Sequence, residues 1–138
     1  MLFNLENIHP LIIHFPIALL STALLFDILA SLLKIQDFKT VGLWCMITGT
    51  ITCFLSNFTG LMIFLTGGSL QDLPKFTHAM LAWLVTVIFV VLIWLRIKLD
   101  IDFRYSRLKK ILFFCIYIVS VVILFYGSHL GAKAAERI

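Results

Sequence analysis

The chain has 138 residues, of which 62% are hydrophobic and only 13% charged, with a mean hydropathy of +1.08. Those fractions exclude an ordinary soluble domain and point to a protein whose solvent is lipid. The net charge of +4 does not imply nucleic acid, because the basic residues flank apolar runs and build neither an amphipathic face nor a reading helix.

A helix needs about 20 apolar residues to cross the hydrocarbon core of a bilayer. The sequence supplies four such runs, predicted at residues 11–33, 40–65, 76–95 and 111–130. The expected fold class is all-α, a four-transmembrane-helix bundle forming one integral membrane domain over residues 1–138. The opening MLFNLEN contains an acid and no Lys or Arg, unlike the basic start of a secretory signal, so the first helix is expected to remain.

The first run begins IHPLIIHFPIALL and continues to LLFD. It sets His9 and His14, Pro10 and Pro16, and Asp27 in or beside a span, where polar side chains are costly. Pro10 is expected at the first helical position, where its missing N–H costs nothing. Pro16 is expected to bend the helix beside His14. Five residues at 3.6 per turn place His9 about 140° around from His14, so the two are not expected to ligate one ion. Asp27 lies about 20 Å from His14 along the axis and reads as a separate polar tie to span hydroxyls, Trp94 or the basic third loop.

The second run carries a stripe of small residues, Gly42, Cys45, Gly49, Thr52, Ser56 and Thr59, at alternating three- and four-residue spacing. Such a stripe lets lipid-immersed helices approach closely, and Cys45, Cys53 and Cys115 read as small apolar packing residues. Asn57 reads as interhelical glue or as a partner orienting a histidine. After the GGS turn at 67–69, the third run opens with THAMLAW, containing His78, and the fourth closes with GSHLG, containing His129.

Lys34, Lys39, Arg96, Lys98, Arg104, Arg107, Lys109 and Lys110 fall on one side of this topology, against Lys75, Lys133 and Arg137 on the other. Basic loops are retained in the cytoplasm, so both termini are expected outside a bacterial inner membrane, in the periplasm of a Gram-negative cell. Trp44 and Trp94 then fall near the inner interface. All four histidines, His9, His14, His78 and His129, share the outer end. His14 and His78 lie roughly 3–5 Å below the outer boundary, and their rings are expected to face the interior because imidazole facing lipid is unfavourable.

Imidazole is the commonest metal ligand and an axial ligand of haem iron. The leading expectation is a membrane b-type haem protein serving electron transfer, with His14 and His78 as axial ligands. His129 is the alternative ligand or hydrogen-bond partner, His9 is more peripheral, and Lys75, Lys133 or Arg137 lie near the propionates. A copper or zinc site using three histidines, with Met80 or Met62, is the first alternative. A structural or assembly subunit of a respiratory complex is the second. No nucleophile with a base, no phosphate-binding glycine loop and no paired catalytic carboxylates appear, which favours an electron carrier or subunit over a stand-alone catalyst. The expected partners are the bilayer, a membrane or periplasmic redox partner such as a cytochrome complex, and a further copy of the chain, with no nucleic acid.

HPLIIHFPIALL with the following LLFD resembles the opening signature of the small bacterial membrane-protein family DUF2231, and THAMLAW and GSHLG resemble its third- and fourth-helix motifs. The resemblance covers nearly the whole chain and implies a four-helix membrane protein. Some members occur beside cytochrome domains, which implies haem or redox association. His9, His14, His78 and His129 match the family's histidines by position. The family's fourth-helix pattern usually runs from G-H-x-G-G into a His-containing tail, whereas this chain reads GSHLGAKAAERI, with Ala132 after Gly131.

Overall fold

A computed structural model describes residues 5–67, 73–98 and 107–134. Four helices follow in chain order: α1, Leu5–Leu33; α2, Gln36–Gly67; α3, Leu73–Lys98; and α4, Arg107–Ala134. No strand occurs among the described residues, and each helix is long and apolar enough to cross a membrane. The helices overrun the apolar runs at nearly every end, because helical hydrogen bonding continues past the hydrocarbon boundary. The 32 residues of α2 extend about 48 Å, well beyond a hydrocarbon core of about 30 Å. Arg104, Arg137 and the 68–69 part of the GGS turn lie outside the described residues.

Lys34 and Ile35 make the whole connection between α1 and α2. Lys34 adopts φ 58°, the left-handed conformation that ends many helices, and its N–H bonds to the Ala30 carbonyl at 3.0 Å. A non-glycine residue accepts roughly 1–2 kcal/mol of steric cost there. The reversal makes α1 and α2 a tight antiparallel hairpin, the most extensive helix pair in the molecule, followed by α3 with α4. α2 also packs on α3 and α1 on α4, while α1 and α3 stand diagonally across the bundle.

Heptad-like spacing selects the inward faces. On α1 the buried residues are Pro16, Leu20, Ala23, Asp27 and Ala30, and on α3 they include Val85, Phe89, Leu92 and Arg96, in steps of three and four. Both prolines lie inside a continuous α1, Pro10 in its second turn rather than at its start. Phe89, Phe113 and Tyr117 form an edge-to-face cluster with Leu20, Ala23 and Met46 in the middle of the bundle.

The small stripe of α2 lies against α1. A methyl group on Gly49 would sit 2.8 Å from Leu20 Cδ2, and one on Gly42 would sit 2.3 Å from Asp27 Oδ1. Gly42, Gly49 and Ser56 are buried, whereas Ile51 is exposed on the opposite face. Close backbone approach is what holds lipid-immersed helices together, since lipid supplies no hydrophobic drive between them. Asn57 adds a polar tie, donating to Thr86 Oγ1 at 2.9 Å and to the Ala82 carbonyl of α3.

Candidate histidine site at one end of the bundle

Two polar clusters stand at opposite ends. At the end formed by the close of α1 and α3, Arg96 donates through Nη1 to Asp27 Oδ2 at 2.5 Å and through Nη2 to Asp27 Oδ1 at 2.7 Å. Nη2 also donates to the Lys39 carbonyl at 2.8 Å, and Nη1 rests against Met46 Sδ at 3.9 Å. Both side chains are almost fully buried. The parallel two-bond fork matches guanidinium to carboxylate and cancels both charges. Sequence reading anticipated a tie at Asp27. The partner is Arg96, the first cation of the basic third loop expected to serve it, which lies here in the last turn of α3.

At the opposite end, His9 of α1 places Nδ1 2.8 Å from Thr59 Oγ1 of α2. The Thr59 hydroxyl has one proton, and it donates to the Ser56 carbonyl at 2.9 Å. With that proton committed, Thr59 accepts from His9, so Nδ1 carries a hydrogen. The ring rests over Gly60, where a methyl group would lie 3.0 Å from His9 Cε1.

His78 of α3 repeats this arrangement against α4. Its Nδ1 lies 2.7 Å from the Gly127 carbonyl, which can only accept, so Nδ1 again holds a hydrogen. The ring rests over Gly131, where a methyl group would lie 2.8 Å from His78 Cε1. Thus the two glycines of the GSHLG motif seat the histidine of the neighbouring helix, rather than His129 between them.

The spacing links both ends. His9 precedes Asp27 by eighteen residues and His78 precedes Arg96 by eighteen residues, five full turns or about 27 Å in each case. Helices α1 and α3 run parallel, and the ion pair holds their far ends together. Both histidines therefore lie five turns from the clamp, toward the same end of the bundle.

The expected interior pair was His14 with His78. His14 is instead exposed on the outside of the bundle, about 140° around from the half-buried His9, as the helical period requires. His129 is also exposed, on α4. The sequence signal lay in the stripe Pro16, Leu20, Ala23, Asp27 and Ala30, which runs back through Ile13 to His9 and misses His14. Among the described residues, no three His, Cys, Asp or Glu side chains come together as a metal-binding group.

All four helices, including the histidine-bearing segments of α1, α3 and α4, fall within a match to one family model, over residues 5–138, described as a predicted membrane protein. The chain belongs to the DUF2231 family. No curated protein and no solved structure matches it.

Proposed function

We propose that this DUF2231 protein is a b-type haem-binding electron carrier of the bacterial inner membrane, with its termini and histidine end in the periplasm. The observation that carries the reading is the pair His9 and His78 at one end of the bundle, each hydrogen-bonded through Nδ1 to a neighbouring helix. Iron-ligating histidines characteristically donate the other ring N–H to a carbonyl or a similar acceptor, which fixes the tautomer and raises ligand basicity. Two such imidazoles make a donor set suited to axial ligation, which needs no third protein ligand.

When bound, the haem supplies a one-electron couple. The chain's residues orient the ligands and exclude water. Thr59 and the Gly127 carbonyl accept the Nδ1 hydrogens, Gly60 and Gly131 leave room for the rings, and the apolar helices keep the site dry. Lys133, exposed in the last turn of α4, would supply a cation for a propionate. The Lys75 side chain and Arg137 lie outside the described residues. His14 and His129 belong to the rim of this site, near the surface a membrane or periplasmic redox partner would meet. A copper or zinc site would want three converging ligands, and the described residues assemble no such group.

The test is reduced-minus-oxidised absorbance of protein purified in mild detergent after expression with ample haem. A low-spin spectrum is expected, lost in His9→Ala and His78→Ala and largely kept in His14→Ala. Wild-type protein without haem absorbance overturns the reading. The same hydrogen bonds favour one other reading, that both histidines are helix ties of a structural subunit. In that case their replacement changes stability and no spectrum.

A further inference from the structure

The two histidine seats are built alike. His9 of α1 lies over Gly60 of α2, and His78 of α3 lies over Gly131 of α4; a methyl group on the first glycine would fall 3.0 Å from the ring carbon Cε1, and on the second 2.8 Å. The two histidines are 69 positions apart and the two glycines 71. These offsets, fixed at one end of the bundle, also match its helices along their length.

Pro16, Leu20, Ala23 and Asp27 are buried on α1, and 69 positions later Val85, Phe89, Leu92 and Arg96 are buried on α3. On α2, Gly42, Met46, Gly49, Thr50 and Ser56 are buried. Seventy-one positions later stand Phe113, Tyr117, Ser120, Val121 and Gly127, the buried residues of α4 among those described. Cys53, Asn57 and Thr86 depart only in degree, since Leu124, Ser128 and Ile17 at the matching positions are half-buried. The side chains mostly differ; the inward positions repeat.

The pairing of the helices repeats as well. α1 packs on α2 as α3 packs on α4, α2 meets α3 as α1 meets α4, and α1 and α3 run parallel across the diagonal. A two-fold rotation about the bundle axis, exchanging α1 with α3 and α2 with α4, reproduces every one of these contacts. Parallel repeats in membrane proteins are related by such an axis along the membrane normal.

A residue beside a two-fold axis meets its own equivalent. Asp27 and Arg96 are equivalents, 69 positions apart, and they do meet. Two identical hairpins would bring like charges together at that point, and like charges in contact disfavour a pairing strongly. Opposite charges there favour one partner and penalise the other.

We propose that the chain is two versions of one helical hairpin, α1–α2 and α3–α4, docked about a two-fold axis along the bundle, and that the opposite charges of Asp27 and Arg96 at one repeat position make each hairpin take the other and reject its own kind. The inference does not depend on what the histidines bind.

The test exchanges equivalent residues in the full chain and reads the unfolding midpoint in detergent. Arg96→Asp sets two carboxylates against each other and Asp27→Arg two guanidinium groups, so each alone should lower the midpoint sharply. Asp27→Arg combined with Arg96→Asp should regain more than about half of that loss, because the new guanidinium meets the Lys110 carbonyl, the equivalent of the Lys39 carbonyl that Arg96 holds. Leu20→Phe with Phe89→Leu exchanges a second equivalent pair, without charge, and should recover similarly from its single variants. The comparison is Asn57→Thr with Thr86→Asn, which exchanges a hydrogen-bonded pair from non-equivalent positions and should recover little. The proposal is overturned if neither exchange of equivalents recovers more than this comparison, or if either single charge reversal is as stable as wild type. Recovery by the Leu20–Phe89 exchange without the charge exchange would overturn the selection by charge.

Discussion

The two ends of the bundle handle buried polarity in opposite ways. At the Asp27–Arg96 end, opposite charges meet in a bidentate fork, and a further guanidinium bond goes to the Lys39 carbonyl. That end is saturated, and its chemistry is spent on holding α1, α2 and α3 in register. At the histidine end, each of two rings commits Nδ1 to a neighbouring helix. A buried charge must be fully matched or it destabilises the fold, whereas a neutral imidazole can be tied at one nitrogen and remain a ligand at the other. The contrast separates a clamp from a site.

Breaking the clamp should have the largest effect. Asp27→Ala leaves Arg96 buried without its carboxylate and should cost about 3–5 kcal/mol, read as a lower unfolding midpoint in detergent. Pairing it with Arg96→Met should recover most of that loss, because two apolar residues leave no charge unmatched. A double variant as unstable as the single would mean that the ion pair supports the fold by more than charge matching. Because the clamp joins the two helices that carry them, Asp27→Ala should also weaken any ligand held jointly by His9 and His78.

Next comes Gly42→Ala. Its methyl group would sit 2.3 Å from Asp27 Oδ1, an atom held in place by Arg96, so overpacking should cost about 3 kcal/mol. Gly49→Ala meets Leu20 Cδ2 and Cγ at 2.8 Å, in a fully buried side chain, and Leu19 Cβ at 3.1 Å, so it should cost a comparable amount. A Gly42→Ala shift well below that of Gly49→Ala would show that the carboxylate is not rigidly held.

At the histidine end the effects should be smaller. Gly131→Ala should displace the His78 ring and lengthen its 2.7 Å bond to Gly127, at about 1–2 kcal/mol. Thr59→Val removes the acceptor for His9 Nδ1, and polar ties between membrane helices average about 0.6 kcal/mol. Both should change the ring chemical shifts of their histidine in NMR spectra while leaving the clamp intact. The smallest change should have the opposite sign: the buried Ser21 hydroxyl makes no hydrogen bond among the described residues, so Ser21→Ala should stabilise by up to about 1 kcal/mol. Destabilisation by Ser21→Ala would point to a bound water serving that hydroxyl.

Much of this fold was legible in advance because a membrane restricts backbone so strongly. Without water to satisfy peptide groups, long apolar runs have little choice but helix, and four runs with short connections give four spans. The small stripe of α2 was equally readable, since glycine at three- and four-residue spacing marks close approach whatever its partner. The histidines were harder. Clustering at one end follows from counting spans, but facing inward depends on helical phase, and the phase of α1 is set by Leu20, Ala23 and Asp27 two or more turns away. Treating His14 as interior because it lies deeper in the apolar run weighed depth over phase.

Composition and period by themselves determined the class, the span count, the close-packing face of α2 and the gathering of histidines at one end, because each depends only on local hydrophobicity and residue spacing. Tertiary structure decided which neighbours meet. Arg96 closes on Asp27 across 69 positions of sequence, Gly131 seats His78 rather than flanking a ligand of its own, and Thr59 fixes the proton on His9. Such pairings depend on how four helices rotate and slide against one another, and no single helix's sequence encodes the rotation of its neighbour.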